Sequence, residues 1–199
     1  MFGGLIFMLL VATGMTVQSC SGSVLNVTIF YETLCPDSMR FFRNQLSSAY
    51  KNDEIREKVF FDLVPFGHGR VQENPFVVKC QHGPKECLGN VLHACFYSRH
   101  DNNEKQVNFG VCTMSTNNPP TAGQECAKKL NYSYDGVENC ASGTEGEKYQ
   151  LLNGKKTLDF KPKIKFIPTI VFNNVYVEAD QNESLKNFEK LVLNKLKNL

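Results

Sequence analysis

The placement of cysteine constrains this chain more than any other feature. Six cysteines (Cys80, Cys87, Cys95, Cys112, Cys126 and Cys140) crowd into one stretch of the 199 residues, Cys35 stands alone, and Cys20 lies near the start. Their meaning depends on compartment, because disulfides persist where the surroundings oxidise and thiols persist in the cytosol. The first residues bear on that. Leu5-Ile6-Phe7-Met8-Leu9-Leu10-Val11-Ala12 is an apolar run followed by small and polar residues through Ser23. It is too short to span a bilayer and reads as a cleaved secretory signal over residues 1–20, although no Lys or Arg precedes it. Cleavage after Cys20 leaves the six clustered cysteines, expected to pair as three disulfides, and one free thiol at Cys35. Six cysteines permit fifteen pairings, all open at this stage.

A formal charge of +2, without any basic run interleaved with aromatics, argues against nucleic acid or anionic lipid as a partner. No later apolar stretch is long enough to cross a membrane. Leu25, Val27, Ile29 and Tyr31 alternate with Asn26, Thr28 and Phe30, the period of a strand. Met39, Phe42, Leu46 and Ala49 then recur at helical spacing, and Pro36 suits the first turn, where its missing N–H has no partner to lose. Val59–Val64 is a second, buried strand ended by Pro65. The first seventy residues therefore predict a βαβ unit with Cys35 at the helix N-terminus. Residues 71–140 show little sustained periodicity and are expected to be loop-rich and dependent on disulfides. Beyond them, Glu145–Leu158 predicts a helix interrupted by Gly154. Thr169–Phe172 and Val175–Val177 predict a hairpin across Asn173-Asn174. Leu185, Phe188, Val192, Leu196 and Leu199 make a closing helical stripe.

A cysteine between a strand and a helix N-terminus is the thioredoxin arrangement, in which helix N–H groups and the macrodipole stabilise a thiolate. Asp37 places a like charge nearby. Pro168, before Thr169-Ile170-Val171, fits the cis-proline that thioredoxin folds set opposite the active cysteine; a trans proline opening a strand is the plainer alternative. The most specific feature is Cys80-Gln81-His82-Gly83-Pro84-Lys85-Glu86-Cys87-Leu88-Gly89-Asn90, closed by Cys95. It resembles the signature of the GILT family (gamma-interferon-inducible lysosomal thiol reductases) at every fixed position. Cys140-Ala141-Ser142-Gly143 and Ile167-Pro168-Thr169 are similar to further family segments. A zinc site from Cys80, His82, Cys87, His93 and Cys95 is the competing reading, but the spacing lacks short Cys-x-x-Cys knuckles. His82 is expected to be a hydrogen-bonding residue rather than a ligand or base.

The resemblance implies an α/β thioredoxin-like fold carrying a disulfide-rich insertion between strand 2 and a later helix-strand-strand-helix half. Its parts are a first half over 21–70, an insertion over 71–140 and a second half over 141–199. It also implies thiol–disulfide exchange on protein disulfides, with Cys35, Ser38 and Pro168 as the site. Here the chain departs from the family. GILT reductases use Cys-x-x-Cys, whose second thiol resolves the mixed disulfide; Cys35-Pro36-Asp37-Ser38 has a serine there. Two readings follow. One is a protein-binding scaffold with weak or no dithiol reductase activity. The other is a monothiol oxidoreductase needing an external thiol such as glutathione or cysteine, with no other cofactor. The partner in either case is a protein, and the destination is extracellular or, as the family name implies, lysosomal. Asn131, Asn182 and Asn26 head glycosylation sequons; Asn131 is favoured because Asn26 lies on a strand.

Overall fold

A computed structural model describes residues 24–199; the expected signal segment and Cys20 lie outside the described residues. Strand β1 (Leu25–Tyr31) is the middle of a three-stranded sheet, parallel to β2 (Val59–Pro65) and antiparallel to β5 (Thr169–Phe172). Two short strands, β3 (Arg70–Gln72) and β4 (Val77–Lys79), form a separate hairpin. Between β1 and β2 run α1 (Pro36–Phe41), a π-helical stretch (Phe42–Leu46), α2 (Ser47–Ala49) and α3 (Asp53–Lys58). The period-two pattern of β1 serves two cores. Leu25, Val27, Ile29 and Tyr31 face the larger cluster, and Phe30 turns to a smaller one with Cys35, Val64, Ile167 and Val171. A central strand covered on both faces is the expected outcome for a parallel βαβ unit.

The region expected to be loop-rich is instead helical. It holds α4 (Pro84–Arg99), α5 (Asn103–Met114), α6 (Gly123–Lys129) and α7 (Val137–Ala141). These helices bury Val91, Phe96, Val107, Phe109 and Met114 in the same core as β1. Sequence periodicity missed them because their apolar residues do not fall on one face. Here α4 packs against the sheet, α7 and α8 (Thr144–Asp159), and so is buried on several sides. Cys95–Cys140 ties α4 to α7, Cys112–Cys126 ties α5 to α6, and Cys80–Cys87 closes the loop that leads into α4. Helix α8 passes through Gly154 without a break, and a Cβ there would stand 2.9 Å from Phe66 and Val71 side-chain atoms. The glycine permits close packing.

Two further expectations fail in the last thirty residues. Asn173 and Asn174 do turn the chain, with φ of 48° and 62°, but only Val175 bridges back to Phe172. The second strand is absent because α9 (Glu178–Leu196) starts at once, and its Gln181 side chain takes the place of a strand partner. Gln181 Oε1 accepts the Ile170 N–H at 2.8 Å, and its Nε2 donates to the Pro168 carbonyl at 2.9 Å. Leu199 lies past the helix and is 50% exposed.

His93 of α4 sits at the centre of the larger core. Its Nδ1 lies 2.8 Å from the Tyr31 hydroxyl, which is 2.7 Å from that of Tyr97. Burial drives the imidazole down to about 3, so it is neutral in the folded chain. The unfolded chain binds a proton near pH 6.5 that the folded chain refuses. Stability from this group is therefore intact above pH 6.5 and is lost as pH falls from there toward 3. His93→Phe is expected to be less stable than wild type at pH 7.5, and the gap should narrow steadily toward pH 4.5. Urea unfolding across that range checks it, and a constant gap would sink the assignment.

Candidate active site

Cys35 caps the N-terminus of α1, and its carbonyl accepts the Met39 N–H at 3.0 Å. The side chain is 7% exposed, within the smaller core. Its thiol donates to the Ile167 carbonyl at 3.5 Å, and the Ile167–Pro168 peptide is cis. Ser38, one turn into α1, is fully buried, and its Oγ accepts the Glu32 N–H at 3.4 Å. Asp37 is partly exposed and paired with Arg40 at 2.7 Å. Cys35, with Ser38 one turn on, thus meets the Ile167–Pro168 segment, far away in sequence, at one end of the sheet. Beside them Phe166 is 41% exposed, between two shallow hollows, one reaching Lys163 and Tyr176 and the other Asp37 and Arg40.

The segment Glu32–Leu34 belongs to no strand or helix, so each buried N–H of this approach to Cys35 needs a partner from elsewhere. Helix α4 supplies two. Thr33 N–H donates to Asn90 Oδ1 at 3.0 Å and Leu34 N–H to Glu86 Oε2 at 3.2 Å. Ser38 takes the Glu32 N–H, and the Glu32 carbonyl takes the Cys35 N–H at 3.4 Å. The Thr33 hydroxyl adds contacts to Asn90 Oδ1 at 3.0 Å and the Glu86 carbonyl at 3.2 Å. Glu86 and Asn90 are four residues apart and so share one helix face. Gly89 lies between them under the loop, where a Cβ would stand 2.3 Å from Thr33 Oγ1.

This clamp gives several residues of the signature region a structural role. Cys80–Cys87 closes the loop, and Gly83, at φ 88°, turns the chain into α4. Glu86 Oε1 reaches back to accept the His82 N–H at 2.9 Å. The five residues of the zinc alternative do not converge: four cysteines, counting the partner Cys140, are disulfide-bonded, and His93 is buried among aromatics. His82 instead joins two buried carboxylates. Its Nδ1 lies 2.6 Å from Glu86 Oε2 and 3.5 Å from Glu32 Oε2. Burial pushes the Glu32 carboxyl up to about 7 and the Glu86 charge adds to that, while the His68 N–H and His82 act against it. Glu32 and Asn90 were missed by sequence reasoning as site residues. Asn90 and Glu86 carried a signal, their four-residue spacing inside the signature; Glu32 carried none. Of the sequon residues, Asn131 is exposed in a turn at φ 57°, and Asn182 is exposed on α9. Asn26 is exposed on β1, with its N–H donated to Asn173 Oδ1.

Comparison with known proteins agrees with this architecture. A family profile described as gamma interferon inducible lysosomal thiol reductase matches residues 26–130. A GILT-like protein of Caenorhabditis elegans is 34% identical, matching 80% of this chain but 50% of its own length. The chain therefore spans half of that relative. GILT-like protein 1 of Drosophila melanogaster is 33% identical over 78% of this chain and 68% of its own. Among solved structures, Chlamydia trachomatis DsbA superposes with a TM-score of 0.57 at 14% identity, covering 87% of this chain and 88% of its own. A thioredoxin-like oxidoreductase from Silicibacter pomeroyi gives 0.53 at 12% identity, covering 85% and 88%. At such identity the likeness is one of fold.

Two substitutions test the clamp. Asn90→Ala leaves the Thr33 N–H buried without an acceptor, a cost of about 1–3 kcal/mol. Gly89→Ala drives a methyl into Thr33, with a similar cost of about 1–3 kcal/mol from overpacking. Both should lower the urea midpoint and raise the rate at which Cys35 reacts with a maleimide. Unchanged labelling in both variants would mean that α4 does not hold the loop.

Proposed function

The chain belongs to the gamma interferon inducible lysosomal thiol reductase family, and from that premise we propose that it binds protein partners through the Cys35 face with weak or no dithiol reductase activity. The observation that carries this is the state of the sulfurs. Among the described residues Cys35 is the one free cysteine, and the other six are in disulfides. The Cys35 thiolate attacks one sulfur of a partner disulfide; that S–S bond breaks, a Cys35–partner disulfide forms, and the departing thiolate takes up a proton. Release then needs a second thiol, and Ser38 offers a hydroxyl that cannot form an S–S bond. The adduct persists until an external thiol cleaves it. The exposed Phe166 beside the buried sulfur supports a protein surface as the partner, since an isolated apolar ring at a reactive site provides contact area.

A secretory destination is part of the same proposal. Three disulfides support it, because such bonds persist in oxidising compartments. Among the described residues no helix is long and apolar enough to cross a membrane. The lysosome remains the alternative to the extracellular fluid, on the strength of the family name.

The test is turnover of a disulfide-containing protein by the purified chain at pH 5 and pH 7, with and without glutathione, beside Cys35→Ser and Ser38→Cys. Wild type is expected to match Cys35→Ser in turnover yet to form a covalent adduct that withstands glutathione, is released by dithiothreitol and is absent in Cys35→Ser. Ser38→Cys should gain turnover. If wild type with glutathione turns over well above Cys35→Ser, the monothiol enzyme is the correct reading and the binding role fails.

A further inference from the structure

We propose that Glu32, His82 and Glu86 form a binding site for one divalent cation of the zinc class, which would fasten the Cys35 loop to the insertion. One ligand atom from each residue lies within 4.8 Å of the other two. The independent pointer is Glu32 Oε2. It is fully buried, has no hydrogen-bond partner, and lies 3.5 Å from His82 Nδ1. A buried carboxylate oxygen without a donor is costly. Among the described residues the only basic group within ion-pair distance of either carboxylate is His82. Two carboxyl groups therefore share at most one basic partner.

The donor set is chemically apt. Two carboxylates and an imidazole suit zinc, and three protein ligands leave a fourth position for water. Ligand atoms about 2.0–2.1 Å from a tetrahedral centre stand about 3.3 Å apart. The 2.6 Å and 3.5 Å spacings from His82 Nδ1 bracket that value, and the two carboxylate oxygens lie within 4.8 Å of each other. The outer contacts are already made. Glu32 Oε1 accepts the His68 N–H at 2.6 Å, and Glu86 accepts the Leu34 and His82 N–H groups. Such supporting bonds orient ligands before the metal arrives. Binding through Nδ1 requires that nitrogen to carry no proton, with any ring proton on Nε2. The His82 side chain is 31% exposed, which opens the site to solvent on that side.

Cys35 could bind zinc by itself, so the experiment separates the two. The chelator-treated chain is titrated with zinc chloride by calorimetry at pH 7, and thermal unfolding is followed with and without zinc. Wild type and Cys35→Ser should each take one zinc per chain and unfold at higher temperature with it. Glu32→Gln and His82→Gln, which remove ligands, should bind more weakly by at least the about 10–100-fold that loss of an outer contact costs, with circular dichroism confirming that both remain folded. Cobalt substitution should give ligand-field bands without thiolate charge transfer. Absence of zinc binding by wild type, equal affinity in Glu32→Gln and His82→Gln, or a thiolate band that vanishes in Cys35→Ser would each overturn the site. None of these outcomes depends on whether Cys35 forms partner adducts.

Discussion

The grip of α4 on the loop before Cys35 is the interaction on which the rest of the site depends. Chain leaving the central strand at Tyr31 must reach a helix N-terminus in a few residues, and on that path its backbone bonds to no strand. Without Asn90 as acceptor the buried Thr33 N–H would lose its bond to water and gain nothing, at about 1–3 kcal/mol, and without Glu86 the part-buried Leu34 N–H would lose its partner too. The bonds at 3.0 Å and 3.2 Å remove that penalty and set where the sulfur lies relative to Ile167 and Pro168. Gly89 is the steric condition for the same contact, since any side chain would hold the loop away from the helix.

It follows that the insertion is part of the active-site architecture. Its helices carry a large share of the core, including the stacked Phe96 and Phe109 and the Tyr31–His93–Tyr97 network that joins β1 to α4. Cys95–Cys140 closes a 45-residue separation, and a loop of that length corresponds to about 4 kcal/mol of denatured-state entropy in the chain-entropy account. Reduction of that bond would loosen α4, and with it the helix face that holds Thr33 and Leu34. The redox state of the structural cysteines and the geometry of the free one are thereby linked through a single helix.

The βαβ unit and the proline-strand were legible because each rests on local rules: alternation in Leu25–Tyr31, a proline in a first helical turn, a proline before β-branched residues. The helices of residues 84–141 were not. Their burial is set by neighbours on several sides, so no single apolar stripe marks them, and Gly89 and Asn90 look like turn residues until the loop they contact is known. The second hairpin strand failed for a related reason. Val175-Tyr176-Val177 has strand propensity, but Gln181 satisfies the Ile170 N–H and the Pro168 carbonyl from the following helix, which no pattern of apolar residues foretells. Glu32 could not be found from sequence at all, because its neighbours His68 and His82, from loops, and Glu86, from α4, are brought together only by the fold.

Ser38 acquires a physical meaning in this frame beyond the chemistry it removes. Its hydroxyl is fully buried and accepts the Glu32 N–H, the first of the loop donors that need a partner. Sulfur is a weak acceptor, so a cysteine at the same position would leave that N–H poorly satisfied in exchange for a resolving thiol. Oxygen reverses the exchange: the loop becomes better bonded and the dithiol cycle is lost. On the binding role proposed above, a loop held in one geometry favours capture, because a surface that does not have to be ordered on contact recognises a partner best.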